Sequence, residues 1–213
     1  MRTEQLIDDL AKDVKPVGRR AVGMRLLAGM ILGALASAAL VAMTLGVRPD
    51  LGTAMTGHTF WMKWSYTLSL SLIAIYATAR LARPDPGRLR AVWLACIPIG
   101  LLMLVGLFEM MHTPPRDWLA MWLGKSWREC PWIVLLLAMP IFIGLLWSFR
   151  RLAPTRLRAA GAAAGLAAGA FAATVYCLHC PEVSALFVLT WYSLGIVLAA
   201  GIGALLGPRL LRW

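Results

Sequence analysis

Charged residues are scarce in this chain. They make up 15% of its 213 residues, whereas soluble globular domains average about 25%. Hydrophobic residues reach 60% of the sequence, so the shortage of charge comes with long apolar runs and excludes a soluble globular domain. The chain is therefore predicted to be an all-α, polytopic membrane protein, with the lipid bilayer as its surroundings.

Cysteines and acidic residues are also few. Four cysteines in so much apolar sequence exclude a disulfide scaffold. Ten acidic against twenty-one basic residues leave a net charge of +11, which in a soluble protein would suggest a nucleic-acid partner. Membrane topology accounts for the basic residues here, as the loops show, so no direct contact with nucleic acid is predicted.

Six apolar segments have about the length that a bilayer core requires. The run that follows the polar first 25 residues is too long for a signal-peptide core, so it is predicted to be a retained first span. The six predicted transmembrane helices cover residues 26–45, 64–79, 91–108, 132–147, 159–178 and 184–206.

The basic residues of the loops predict the orientation. Six Lys and Arg lie in the N-terminal tail, four in each of the second and fourth loops and two at the C-terminus, against five in the loops of the other side. Cytoplasmic loops of membrane proteins carry the excess of Lys and Arg. Both termini are therefore predicted to be cytoplasmic.

Small residues recur every four positions in two of the predicted spans. Gly29 and Gly33 lie in the first span, and Gly161, Gly165 and Gly169 lie in the fifth. This spacing lets helix backbones approach closely in lipid. It predicts a tightly packed bundle.

The N-terminal tail has an amphipathic pattern. Thr3 can cap a short helix, with one apolar face and an acidic face that includes Asp8 and Asp9. The apolar face carries Leu6, Ile7, Leu10 and Val14. A helix this short is unstable alone, and its acidic face disfavours anionic lipid. Residues 1–24 are therefore predicted to dock a cytoplasmic partner, and residues 25–213 to form the membrane bundle.

Two cysteines directly precede a proline that begins a hydrophobic segment, Cys130 before Pro131 and Cys180 before Pro181. Proline is favoured at the first helical position, so each cysteine is predicted to be a helix N-cap. Backbone N–H groups and the helix dipole favour a thiolate there. Cys177, His112 and His179 are predicted on the same outer side, whereas Cys96 is predicted near an inner helix end, as a small buried hydrophobe.

A short amphipathic segment is predicted in the third loop. Two prolines at 114 and 115 precede it, Trp118 and Trp122 mark its apolar face, and Gly124 follows it. Such a segment is typical of a helix that lies in the membrane interface. We expect it to anchor the loop that leads to Cys130.

Thiols on an oxidising outer face allow two kinds of chemistry. Two of them can form a disulfide, or thiolates together with His179 or His112 can bind a soft metal ion as a cofactor. A membrane thiol oxidoreductase is one alternative function, although the predicted fifth loop is short for a shuttling dithiol. A small transporter is another, although the spans offer only Glu109 as an intramembrane ionisable residue.

Several motifs together resemble a known family. They include residues 46–51 (Gly-Val-Arg-Pro-Asp-Leu), 127–131 (Trp-Arg-Glu-Cys-Pro), 153–162 and 176–182 (Tyr-Cys-Leu-His-Cys-Pro-Glu). They resemble the NrsF-type membrane anti-sigma factors, six-span proteins of the bacterial inner membrane. The resemblance implies a regulator rather than an enzyme, with an extracytoplasmic-function sigma factor as its partner. It also implies that Cys130 and Cys180 take part in sensing heavy metal or oxidation, and it assigns no role to Cys177.

Overall fold

The computed structural model describes residues 3, 5, 21–85, 87, 89–149 and 152–212. Every regular element within them is helical, which confirms the all-α prediction. The helices are α1 (Ala21–Leu40), α2 (Leu51–Thr56), α3 (His58–Leu81), α4 (Cys96–His112), α5 (Trp118–Leu123), α6 (Cys130–Phe149), α7 (Leu157–Tyr176), α8 (Ala185–Phe187) and α9 (Ser193–Leu210). A π-helical turn at Val41–Leu45 extends α1, and another at Val188–Tyr192 joins α8 to α9.

Five helical segments of the described chain are long and apolar enough to cross a membrane. They are Val22–Leu45, Val92–His112, Cys130–Phe149, Leu157–Tyr176 and Ala185–Leu210. The predicted second span lies within α3, which is 24 residues long. Its many hydroxyl-bearing residues make α3 less apolar than the other five, so the sixth crossing stays a prediction.

α7 lies at the centre of the bundle, in contact with α1, α3, α6 and α9. It consists mostly of alanine and glycine, so neighbouring backbones come very close. A Cβ added at Gly161 would overlap the carbonyl oxygen of Gly203, and one added at Gly165 would overlap that of Ala199. The tight packing predicted from the glycine spacing of this helix is confirmed.

α1 and α6 form a second close pair. A Cβ at Gly29 would overlap the backbone of Gly144, and a Cβ at Gly33 would lie 2.5 Å from the Cα atom of Ile141. The Ser148 hydroxyl donates to the carbonyl oxygen of Arg25 across this interface, at 2.8 Å. The close approach predicted for the first span is therefore confirmed as well.

α3 presents a polar stripe to α7. Lys63, Thr67 and Ser71 follow one another at intervals of four residues, and Thr78 lies two turns further along the same face. All four are buried. The hydroxyls of Thr67 and Thr78 donate to carbonyl oxygens four residues earlier in the helix. Thr174 of α7 donates to the Thr67 hydroxyl at 2.9 Å. This stripe explains both the lower hydropathy of α3 and its position inside the bundle.

α4 lies at the edge of the bundle. It packs against α3 and α8. Only 11% of the membrane-length segment that contains it is buried inside the described protein, against 78% of the segment formed by α7. Cys96 is the first residue of α4 and is exposed. The prediction that it is a small buried hydrophobe was wrong, because the described part of the chain packs against α4 on one side only.

α5 confirms the helix predicted in the third loop. A 3₁₀ turn at Pro115–Asp117 leads into it, and Gly124 follows it with a φ of 57°. That value lies in the left-handed region, which glycine adopts without strain. The indole of Trp118 donates to the carbonyl oxygens of Met110 and Thr113, which ties α5 to the end of α4.

Hydrogen bonds between loops show which loops lie at the same end of the bundle. At one end the Thr155 hydroxyl donates to the carbonyl oxygen of Pro84, which joins the second and fourth loops. At the other end the amide of Arg48 donates to the carbonyl oxygen of Leu178, which joins the first and fifth loops. We call this second end, which also contains the third loop, the thiol end.

Candidate functional site

Three cysteines converge at the thiol end. Cys130 is the first residue of α6, Cys177 follows the last residue of α7, and Cys180 lies in the loop before α8. All three are free thiols with no solvent-exposed surface. The three thiols are close enough together for a charge on one to act on the other two. The structure therefore brings Cys177 into the group, alongside the pair that the sequence singled out.

Neither cysteine of the predicted pair is a helix N-cap. The amide of Cys180 donates to the carbonyl oxygen of Tyr176, so this residue completes the last turn of α7. Helix α8 begins four residues after Pro181, at Ala185, with Ser184 as its N-cap. The Cys130 amide donates to the carbonyl oxygen of Ser126, so Cys130 continues a turn. The prediction of thiolate-stabilising caps was wrong, because a proline after a cysteine indicates a helix start without fixing it.

Two tyrosines enclose the thiols. Tyr176 and Tyr192 are both buried, with ring centroids 5.6 Å apart. The Tyr192 hydroxyl lies beside the thiols of Cys177 and Cys180. All three cysteine thiols are close enough to the Tyr192 hydroxyl for a charge on one of them to act on it. Sequence reasoning missed Tyr192, although its position in the first turns of the last predicted span was a usable signal.

Lys63 is buried against the loop that contains Cys180 and Glu182. Its side chain is 1% exposed, and its ammonium donates to the carbonyl oxygens of Cys180 at 3.0 Å and Glu182 at 2.6 Å. In the sequence, Lys63 is one of the few basic residues of the outer side, and no role in the site was predicted for it. The signal that could have found it is the hydroxyl pattern of α3, since Lys63 is the first member of that polar stripe.

Glu182 joins the Cys180 loop to the loop before Cys130. One carboxylate oxygen accepts hydrogen bonds from the amides of Lys125 at 2.7 Å and Ser126 at 3.1 Å, and from the Ser126 hydroxyl. A Cβ at Gly124 would meet the same carboxylate at 2.6 Å. The glycine that ends α5 therefore also makes room for Glu182.

Glu109 holds the start of α8. Its carboxylate accepts from the amide of Ala185 at 2.8 Å and from the hydroxyl of Ser184 at 3.1 Å. A carboxylate at a helix N-terminus satisfies amides that have no partner within the helix. Glu109, the ionisable residue that the sequence offered for a transport pathway, therefore has a structural role.

The two predicted histidines have different surroundings. His179 is half-buried next to Tyr176, and its Nδ1 atom lies 2.9 Å from the carbonyl oxygen of Gly46. His112 is exposed at the end of α4, where its Nδ1 atom lies 2.9 Å from the carbonyl oxygen of Phe108. The structure thus places His179 beside the thiols and pairs His112 with its own helix.

A soft metal ion was the cofactor that the sequence allowed at this site. Among the described residues, no group of three or more His, Cys, Asp or Glu side chains is arranged to hold a metal ion. The residues predicted to bind a sigma factor, which are Leu6, Ile7, Asp8, Asp9, Leu10 and Val14, lie outside the described residues.

The fold and site define an all-helical chain, compatible with a membrane protein, that buries three thiols at one end. The family described as "Negative regulator of sigma F" (NrsF) matches residues 10–213. A probable anti-sigma-F factor NrsF of Azospira oryzae is 37% identical over 216 aligned residues, and an anti-sigma-F factor NrsF of Caulobacter vibrioides is 39% identical over 214. Both alignments cover the whole of both chains.

This chain therefore belongs to the NrsF family, whose role is regulatory rather than enzymatic. The resemblance that the motifs indicated is confirmed. No solved structure matches this chain.

Proposed function

We propose that this protein is a membrane anti-sigma factor that holds an extracytoplasmic-function sigma factor inactive on its cytoplasmic side. The observation that carries the proposal is the full-length match to two relatives named as anti-sigma-F factors. Membership of a regulatory family counts against the thiol oxidoreductase. The structural use of Glu109 leaves the transporter without its candidate residue.

The proposal includes six crossings of the bacterial inner membrane, with both termini in the cytoplasm. It is supported by the sixteen basic residues of the tails and even-numbered loops against five in the odd-numbered loops. α3 supplies the sixth crossing, because its polar stripe faces α7 rather than lipid. In this orientation the thiol end faces the outside and the N-terminal tail meets the sigma factor.

The sigma factor docks on the N-terminal tail through the apolar face that includes Leu6 and Leu10. Leu6→Glu or Leu10→Glu should release it, because each removes about 2–3 kcal/mol of apolar contact and buries a charge. We expect constitutive transcription from the target promoter, measured with a reporter, at unchanged amounts of protein in the membrane. Gln5→Glu is the matched control, since it adds the same carboxylate outside the apolar face.

A pull-down with residues 1–24 tests the same step directly, and a sigma factor should be recovered with the wild-type peptide. Unchanged repression by both leucine variants would move the docking surface to the cytoplasmic loops or the C-terminus.

The signal acts at Cys130 and Cys180. Either an oxidant takes two electrons and two protons from the two thiols and a disulfide forms, or a soft metal ion displaces the protons and is shared by the sulfurs. Both restrain the start of α6 against the loop that leads to α8. The sigma factor must bind one of the two arrangements better, because a signal shifts an equilibrium only through differential affinity.

Cys130→Ser and Cys180→Ser should each abolish induction by the signal. Because the two thiols act as one unit, the double variant should respond no differently from either single variant. The measurement is reporter transcription with and without a thiol oxidant or a cadmium salt. Cys96→Ser, at the exposed start of α4, is the control and should retain induction. Additive partial losses in the two single variants would refute a shared site and leave the anti-sigma function in place.

A further inference from the structure

Lys63 is an unusual residue to bury. An ammonium loses strong hydration when it leaves water, so buried charges in proteins are normally paired with an opposite charge. In the described part of the chain no carboxylate lies within ion-pair distance of Lys63. Among the described residues, its ammonium donates to two carbonyl oxygens, of Cys180 and Glu182, in a loop more than a hundred residues away.

Those two carbonyls belong to the loop that covers the thiols. Cys180 is fully buried although it lies in a loop rather than in a helix. Two hydrogen-bonded contacts fix this loop. The Lys63 ammonium, on α3, donates to its carbonyl oxygens. The Glu182 carboxylate, within the loop, accepts from the amides of Lys125 and Ser126. The carbonyl oxygen of Ser126 in turn accepts from the amide of Cys130. One short chain of hydrogen bonds therefore links Lys63 to both of the proposed sensing cysteines.

We propose that Lys63 is a positioning residue that clamps the Cys180 loop closed over the thiols and so sets how readily a signal reaches them. The proposal rests on the sensory function proposed above. Opening the loop breaks two charge-assisted hydrogen bonds but returns the ammonium to water. The closed and open states therefore differ by less than the bonds alone would suggest, and a local opening of this kind can be frequent.

The clamp can be tested on the full-length chain in membrane vesicles. Cys180 is kept as the one cysteine by replacing the other three with alanine, and its alkylation by a water-soluble maleimide is timed. Lys63→Met should accelerate the alkylation by about tenfold or more, because the closed loop is then left with two buried carbonyl oxygens that have lost their donor. Lys63→Arg, which keeps the charge and the donors, should restore part of the protection.

The direction of the change separates the clamp from a purely electrostatic role. Removing a nearby cation disfavours the thiolate that reacts with maleimide, so an electrostatic effect alone would slow the alkylation. A slower or unchanged rate in Lys63→Met would overturn the proposal. Lys125→Met is the matched control: it removes the same charge from an exposed side chain at the thiol end, keeps the amide that donates to Glu182, and should leave the rate unchanged.

If Lys63→Met does not reach the membrane, Lys63→Gln takes its place, because glutamine is neutral but still donates to one carbonyl. It should accelerate the alkylation by a smaller factor, and a wild-type rate would again overturn the clamp. The alkylation assay contains no sigma factor. A wild-type chain that fails to repress the reporter would therefore count against the proposed function, while the clamp is judged on the alkylation rates alone.

Discussion

The α7–α9 interface and the thiol end are held together in different ways. At the interface, α7 and α9 meet through glycine and alanine, with backbone against backbone at Gly161 and Gly203. At the thiol end, loops and helix starts are joined by charged side chains that bond to backbone groups, through Lys63, Glu109 and Glu182.

The difference shows where the molecule can move. Close backbone packing is made of many weak contacts and tolerates little added volume, so it fixes the helices against one another. The thiol end depends on a few strong bonds that can break one at a time. The sensing function proposed above would use both properties, with a rigid bundle that carries a displacement and a local region that opens at low cost.

The largest effect should come from adding one methyl group to the α7–α9 interface. Gly203→Ala places a Cβ against the backbone of Gly161, and we expect it to destabilise the protein by about 2–3 kcal/mol through overpacking. Gly201→Ala, two residues away on the same helix, has open space around its Cβ and should be neutral or slightly stabilising. Thermal unfolding in detergent micelles measures both. Equal stability of the two variants would contradict the close packing of α7 and α9.

A smaller effect is expected at the thiol end from Glu109. Glu109→Leu removes the carboxylate that accepts from Ala185 and Ser184, and should cost about 1–2 kcal/mol, as the loss of a helix cap does. Glu109→Gln keeps one acceptor oxygen and should cost less. Glu129→Gln, at an exposed position nearby, is the control for lost charge. The same unfolding assay applies, and a Glu109→Leu variant as stable as the wild type would show that the cap contributes nothing.

The smallest effect is expected from the ion pair of the first loop. The Arg48 guanidinium donates two hydrogen bonds to the Asp50 carboxylate, at 2.7 and 2.6 Å, and holds the pKa of that carboxyl below its ordinary value. A lowered pKa in the folded state means that the pair stabilises the protein at neutral pH. That stability disappears as the pH falls through the ordinary value towards the lowered one.

Because Asp50 is solvent-exposed, Asp50→Asn should leave the unfolding temperature unchanged in physiological salt. A small difference should show only at low ionic strength and should vanish in acid. The comparison of wild type and variant at two salt concentrations and two pH values measures it. A loss as large as that of Glu109→Leu would mean that the first loop belongs to the rigid part of the molecule.

Regular features of the fold could be predicted from the sequence. Five of the six apolar segments, the close approach at Gly33 and Gly161, and the short helix that ends before Gly124 were predicted correctly, because each depends on local periodicity or on one special residue. Cys96 and the supposed cap at Cys180 were predicted wrongly. Exposure of Cys96 depends on which helices surround α4, and the start of α8 depends on Glu109, which is distant in sequence.

The sequence by itself determined the helical class, the apolar segments and the family, since these follow from composition, hydrophobic run length and motifs. Only the tertiary structure decided that Cys177 joins Cys130 and Cys180, that Tyr192 encloses them and that Lys63 is buried beneath their loop. The physical reason is that these are contacts between segments separated by many residues, and their positions are set by how closely α3, α6 and α9 pack on α7.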